Sequence, residues 1–337
     1  MILLKLIINE PGSFVGVKAG RISVRKNGKV ISEVAAPLVE QVIITTRGAS
    51  FSSALLKLLA SHHVQLFFLS GYGFPIARLV TGSQGSVMLR HIQYSSQENE
   101  TAFNLARLFV SAKINNQAVL LGSAGRNRED TRADTAKVLL DMSRDVKEHL
   151  RMVEFLKYDA GWRKKLMSIE ADASEIYWRG VAKILEEYIE FPGRKKRFDE
   201  PADPANIMLN YGYSFLASHM WMSVESVGLD PYAGFLHVDS PRRPALVMDM
   251  IEEFRQPVVD RAVFRIIVEK KGNIKLEGKK LSRESRIHLL KTISQRLEQK
   301  VTFENRCFPI ESHITFQARR LAETVMGRDT YVPYMER

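Results

Sequence analysis

The hydrophobic period of this chain changes once, at Gly82-Ser83-Gln84-Gly85-Ser86, and that change limits what it can fold into. Before it, short apolar runs at Leu3–Ile8, Phe14–Val17, Arg21–Arg25, Val30–Val34, Gln41–Ile44, Val64–Leu69 and Ile76–Val80 are separated by turn residues and read as strands. Asn27-Gly28 stands between two of these runs, and its tolerance of positive φ suits a type I′ hairpin. One helical pattern, Ser52–Leu59, interrupts the strands. After the change the apolar spacing is three and four, predicting helices over about 87–114, 130–157, 162–190, 206–228, 244–268, 282–300 and 311–327. Lys270–Leu276 reads as a short ribbon turn and Ser282 as a helix N-cap. The expected class is therefore α+β: a small N-terminal β-rich domain over 1–85 and a larger, mostly α-helical domain over 86–337. A length of 337 residues also favours two cores over one.

Lys plus Arg outnumber Asp plus Glu by 49 to 38, a formal charge of +11 that favours a polyanionic partner. The excess is concentrated in residues 261–337, where 17 basic residues face 9 acidic ones. The single cysteine, Cys307, can form no disulfide within the chain and no multi-cysteine zinc site. With a poor match to a secretion signal at Met1–Ile8 and no apolar run of spanning length, the expectation is a cytoplasmic protein.

The chemistry is carried by carboxylates and one imidazole. Leu166, Glu170, Ala173, Tyr177, Val181, Ile184 and Tyr188 share one helical stripe, in which Glu170 is the only charge. A carboxylate on an apolar face costs several kcal/mol unless it is paired or coordinates a cation. Asp172 and Glu175 point elsewhere and are expected in solvent. Near 244–256, Leu246, Val247, Met250, Ile251 and Phe254 form one face and Asp249 and Glu252, three apart, share another. That pair could hold one hard cation or simply be a wet acidic face. His237 follows the apolar Gly234-Phe235-Leu236, and a lone histidine there is more often a hydrogen-bonded structural residue than a ligand. Together a histidine and carboxylates suit magnesium or manganese better than zinc or copper. There is no phosphate-loop motif, no complete dinucleotide fingerprint at Gly71-Tyr72-Gly73, no nucleophile elbow and no activating context for Cys307.

Glu170 through Trp178, Asp203-Pro204-Ala205-Asn206 with Leu209-Asn210-Tyr211-Gly212-Tyr213, and Gly228-Leu229-Asp230-Pro231 through His237 to Asp249–Arg255 resemble, in order and separation, the CRISPR-associated integrase family called CRISPR-associated protein one. The resemblance implies an N-terminal β-domain that forms a homodimer and a C-terminal catalytic domain. It implies a divalent metal, Mg2+ or Mn2+, held by Glu170, His237 and Glu252, with Asp249 a further acid of the active site. Which of Asp249 and Glu252 is the direct ligand is left open, because relatives often carry aspartate where Glu252 stands. Asp239–Ala245 departs from the commoner pattern, which has a glycine in the loop and a hydroxyl residue at the position of Ala245.

The expected reaction is a metal-dependent transesterification, in which the 3′-hydroxyl of a short DNA duplex attacks a phosphodiester at the edge of a CRISPR repeat. Disintegration or cutting of branched DNA is the expected side activity. Arg194, Arg197, Arg242, Arg243 and Arg255 are candidate phosphate contacts, and Tyr177 and Asn210 candidate site-lining residues. The resemblance also implies a small partner, CRISPR-associated protein two, bridging two dimers. Two rivals remain: a non-catalytic DNA-binding scaffold, and a structure-specific nuclease that uses water as its principal nucleophile.

Overall fold

The computed structural model describes residues 4–69, 75–79, 87–195, 203–237 and 243–337. Two units emerge, Met1–Gly85 and Ser86–Arg337. Among its described residues the first holds eight strands, β1 (Leu4–Ile8), β2 (Ser13–Lys18), β3 (Arg21–Lys26), β4 (Lys29–Ala35), β5 (Val39–Ile44), β6 (Ser50–Phe51), β7 (Gln65–Leu69) and β8 (Pro75–Leu79), and the helix α1 (Ser53–Ser61). They make two four-stranded sheets, ordered β1-β5-β7-β8 and β4-β3-β2-β6. Lys26 pairs with Lys29 around Asn27 and Gly28, both at positive φ, as a two-residue hairpin requires. β5 lies between two parallel neighbours, so Val39, Val42, Ile43 and Ile44 are buried as a nearly continuous run, without the alternation of a one-faced strand. Ser52 caps α1 by accepting from the Leu55 N–H, and Leu55 and Leu59 enter the core beside Val15 and Leu66.

The second unit is helical: α2 (Val87–Ser96), α3 (Glu100–Arg126), α4 (Ala133–Phe155), α5 (Trp162–Leu185), α6 (Pro204–Ser226), α7 (Ala245–Ile251), a π-helical turn at Arg255–Asp260, α8 (Arg261–Glu269), α9 (Arg283–Glu298) and α10 (Ile310–Val325). The class is the expected α+β, and three details differ. The pattern over 87–114 is two helices: Asn99 accepts from the Thr101 N–H, capping α3 and ending the continuity that periodicity alone suggests. The pattern over 244–268 is broken by the π turn, which admits an extra residue while keeping the backbone bonded. The ribbon lies later than expected, as β9 (Leu276–Glu277) against β10 (Lys280–Leu281), and a second hairpin joins β11 (Lys300–Phe303) to β12 (Arg306–Pro309). Its turn, Glu304-Asn305, has both residues at positive φ, and Glu-Asn is a weak signal for that geometry.

Ser282 caps α9 as expected, while Asp203 accepts from the Asn206 N–H with Pro204 in the first turn of α6. One continuous core runs through this unit, including Phe109 and Leu121 of α3, Leu166 and Tyr177 of α5, Leu216 of α6 and Phe254 before the π turn. Among the described residues, no helix is long and apolar enough to cross a membrane.

Candidate active site

Helices α3 and α5 and the C-cap of α7 bring Lys113, Glu170 and Glu252 to one point. The Lys113 ammonium contacts Glu170 Oε1 and lies 2.9 Å from Glu252 Oε2. Arg255, one turn beyond Glu252, places Nη2 2.9 Å from Glu252 Oε1. The Lys113 and Glu252 side chains are only 11% and 4% exposed, so these charges interact in a poorly solvated space. Burial pushes the Glu252 carboxyl up, but the Arg255 guanidinium and the Lys113 ammonium more than offset it and hold the carboxyl below its usual range. Burial pulls the Lys113 ammonium down, and Glu170 and Glu252 more than compensate, keeping it charged. The arrangement is not closed: Glu252 Oε2 and Arg255 Nε are buried without a partner in hydrogen-bond geometry. Asp172 and Glu175 are exposed, as their positions on the helix require.

His237 is delivered by a loop with little freedom. Gln93 donates to the carbonyls of Asp230 and Ala233, Gln97 to that of Gly234, and Arg163 to that of Phe235. From the other side the fully buried Asp249 accepts three backbone N–H groups: Phe235 at 2.6 Å, Leu236 at 2.9 Å and His237 at 3.1 Å. Its Oδ1 also lies 2.5 Å from His237 Nδ1. Gly234 makes this possible, since a Cβ there would stand 2.8 Å from Ala245 and 2.9 Å from Asp249 Oδ2.

Asp249 therefore has no lone pair to spare, and the pair at 249 and 252 is neither a wet acidic face nor a two-carboxylate chelate. Asp249 orients His237. By accepting from Nδ1–H it fixes the tautomer whose Nε2 carries the lone pair, as a second carboxylate behind a metal-binding histidine does. Of the two acids, Glu252 is the one that faces Glu170, across Lys113.

The donor set suits a hard divalent cation: two carboxylates, an imidazole with one nitrogen fixed, and a buried carboxylate oxygen without a hydrogen bond. As the side chains stand they do not close into a ready ligand set; among the described residues no three His, Cys, Asp or Glu side chains do so. The Lys113 ammonium lies between the two carboxylates.

The other candidates divide. Arg255 is at the site, tied to Glu252 and lying 4.8 Å over the Tyr213 ring. Arg194 reaches the other candidates through that same ring, 5.5 Å from it, while its Nη2 donates to Asn210 Oδ1. Asn210 thus holds Arg194 and makes no contact with Glu170 or Glu252. Tyr177 does not line the site: it is fully buried and its hydroxyl donates to Asp260 at 2.6 Å, beside Tyr213, which donates to the other oxygen at 2.6 Å. Arg243 is exposed, and Arg197 and Arg242 lie outside the described residues.

Lys113 is the member that sequence reasoning missed. Its signal is of the kind that marks Glu170: Ala106, Phe109, Val110, Asn116, Gln117 and Leu120 of α3 are all buried, and Lys113 falls in that stripe.

The family model described as CRISPR associated protein Cas1 matches residues 6–295. A CRISPR-associated endonuclease Cas1 of Archaeoglobus fulgidus is 32% identical over 99% of this chain and 100% of its own length. The one from Korarchaeum cryptofilum is 36% identical over 77% of this chain and 76% of its own. Among solved structures, a casposase bound to integration product shares the fold at a TM-score of 0.75 and 20% identity, covering 98% of this chain and 93% of its own. A Cas1 protein from Thermotoga maritima does so at 0.71 and 20%, covering 99% of this chain and 100% of its own. With the match of the family model over most of its length and full-length relatives at this identity, the chain belongs to the Cas1 family of CRISPR-associated proteins.

Proposed function

We propose that this protein is a metal-dependent DNA integrase and endonuclease of CRISPR adaptation, joining the 3′-hydroxyl ends of short duplexes to repeat-edge phosphodiesters by transesterification. The observation that carries the reading is the convergence of Glu170 and Glu252, from helices far apart in sequence, beside a histidine whose orientation is fixed by Asp249. Endonuclease is the name carried by the full-length relatives. The same fold occurs in a casposase bound to integration product and in a Cas6-RT-Cas1–Cas2 complex. Those parallels support DNA and a small bridging partner, CRISPR-associated protein two, as what this chain engages, with a homodimer formed through residues 1–85 and residues 86–337 as the catalytic domain.

In this reading Glu170, His237 and Glu252 hold Mg2+ or Mn2+, which when bound supplies Lewis acidity at the phosphoryl oxygen and the leaving 3′-oxygen. The residues of the chain do the rest. Asp249 keeps the His237 Nε2 lone pair aimed outward, and the pinned loop before His237 keeps the imidazole from turning away. Arg255 and Arg194, both against the Tyr213 ring, place guanidinium groups where the scissile phosphate and its neighbour enter. Arg197, Arg242 and Arg243 extend the phosphate contacts along the duplex. The attacking hydroxyl is the DNA's own, so no covalent protein–DNA intermediate forms; water in its place gives cleavage, and the reverse reaction, with the target strand's 3′-hydroxyl attacking the branch phosphodiester and the spacer 3′-hydroxyl leaving, gives disintegration.

The test is strand transfer of a labelled duplex with 3′-hydroxyl ends into a repeat-containing plasmid, with the small partner present, in Mn2+, Mg2+ or chelator. Joined product that disappears with chelator and in His237→Ala is expected. Cutting without joining would establish the hydrolytic rival, and metal-independent DNA binding with neither product would establish the scaffold. Binding should also weaken steeply with salt as phosphate neutralisation releases counterions.

A further inference from the structure

The cation between Glu170 and Glu252 is the chain's own. The Lys113 ammonium contacts Glu170 Oε1, is 2.9 Å from Glu252 Oε2, and is 11% exposed. Surface lysines rarely surrender hydration in this way; a buried ammonium is tolerated where carboxylates replace its water. The fit is only partial, since Glu252 Oε2 receives the charge but no hydrogen bond. Arg255 is a second cationic neighbour, paired directly with Glu252 and acting on Glu170 through its charge. The two carboxylates that would bind a divalent ion are thus shared with a monovalent one that cannot leave the protein.

We propose that Lys113 is a resident counter-cation of the metal site: it neutralises Glu170 and Glu252 in the metal-free protein and competes with the divalent ion for both. The inference rests on the assignment of Glu170, His237 and Glu252 as ligands. A buried carboxylate and a half-buried one close together repel, and without an internal cation the site would strain the packing of α3, α5 and the end of α7. With it, the metal-free fold is stable, and every metal-binding event must first move the ammonium aside. The apparent affinity is then the intrinsic one reduced by the fraction of molecules in which the carboxylates are free of Lys113.

The decisive comparison is Mn2+ affinity, measured by electron paramagnetic resonance of free Mn2+, in wild type, Lys113→Met, Lys113→Gln and His237→Ala, each without DNA. Thermal unfolding in chelator and in saturating Mn2+ accompanies it. Lys113→Met keeps the unbranched stem, one atom shorter, and removes the charge, so Mn2+ should bind roughly tenfold tighter or better. In chelator the variant should melt below wild type, and saturating Mn2+ should raise its midpoint more than that of wild type. A Lys113→Met protein that folds only when Mn2+ is present also supports the proposal, and Lys113→Gln, retaining a hydrogen-bond donor, then supplies the affinity. Unchanged or weaker Mn2+ binding in the folded Lys113 variants overturns it, showing that the lysine positions the carboxylates for the metal. His237→Ala separates the two levels: if it binds Mn2+ as wild type does, the ligand assignment itself fails. If it loses Mn2+ while the Lys113 variants gain nothing, only the counter-cation fails.

Discussion

Glu252 and Glu253 are consecutive, both nearly or fully buried, and chemically identical, yet they belong to opposite kinds of environment. Glu253 faces neutral donors: the Tyr331 hydroxyl, Gln317 Nε2 at 3.0 Å and the Tyr334 N–H at 2.7 Å. Burial pushes its carboxyl up to about 7 against those hydrogen bonds. Glu252 faces cations and is held low by them, its buried Oε2 meeting the Lys113 ammonium at 2.9 Å, off the ideal hydrogen-bond direction. The same contrast extends to the segment that follows α10. There Asn116, one turn along α3 from Lys113, donates to the carbonyls of Glu253 and Tyr334 and accepts from the Glu336 N–H. Glu336 in turn bridges Arg261 and Arg296 at 2.7 and 2.6 Å. One flank of the stretch is saturated and serves packing; the other is left incomplete and is where a ligand can add something. Burial of a carboxylate does not mark function by itself, but burial with unsatisfied atoms among charges does.

The sharpest break of that comparison is to neutralise each glutamate in turn. Glu252→Gln should reduce strand transfer about a thousandfold or more, to background, with folding intact by circular dichroism. Glu253→Gln, one residue along, should keep strand transfer within a fewfold of wild type. Equal losses in both would erase the distinction. Asp249→Asn comes next: it acts through His237, so Mn2+ affinity should fall by about 10–100-fold, the usual cost of losing a carboxylate behind a metal-binding histidine. Calorimetric titration with Mn2+ would read it.

On the saturated flank the effects are on stability. Glu336→Ala leaves Arg261 and Arg296 without their shared partner and should cost about 1–3 kcal/mol in denaturant unfolding, with Mn2+ affinity unchanged. The smallest effect is a pH slope. Asp260 accepts both the Tyr177 and Tyr213 hydroxyls, yet burial pushes its carboxyl up to about 6 from 3.8. Between those values the folded state binds the proton more tightly, so this group's contribution is full below the lower value, declines as pH rises, and is gone above about 6. From pH 5 to pH 7 wild type should lose roughly 1 kcal/mol relative to Asp260→Asn. Parallel pH profiles would remove Asp260 from the account.

Legibility in the sequence followed the range of the interactions involved. The class, the Asn27-Gly28 hairpin and the caps at Ser282 and Asp203 are local, and the sequence carries them in residues a few positions apart. The stripe that isolates Glu170 is local too. The division of labour between Asp249 and Glu252 was not legible, because spacing places them on one helix face and only the loop at 234–237 decides which is consumed. Tyr177 looked free to line a site until Asp260, far along the chain, claimed its hydroxyl. Lys113 carries the same stripe signal as Glu170, but a lysine in such a stripe also reads as a stem packed on apolar surface with its head in water. The cut at Asn99 and the turn at Glu304-Asn305 were missed because one side-chain acceptor or one unusual backbone pair overrides an otherwise regular pattern.

The groups at the site come from residues 113, 170, 237, 252 and 255, carried by segments far apart in the chain that meet only when the second unit is packed. No fragment of that unit lacking one of those segments holds the whole set. On the proposed reading, a chain that is partly folded, or nicked between α3 and α7 so that the halves separate, lacks the complete set and would not carry out strand transfer. For a protein proposed to break and rejoin chromosomal strands, the long sequence separation of its reactive groups works as a safeguard during synthesis and turnover.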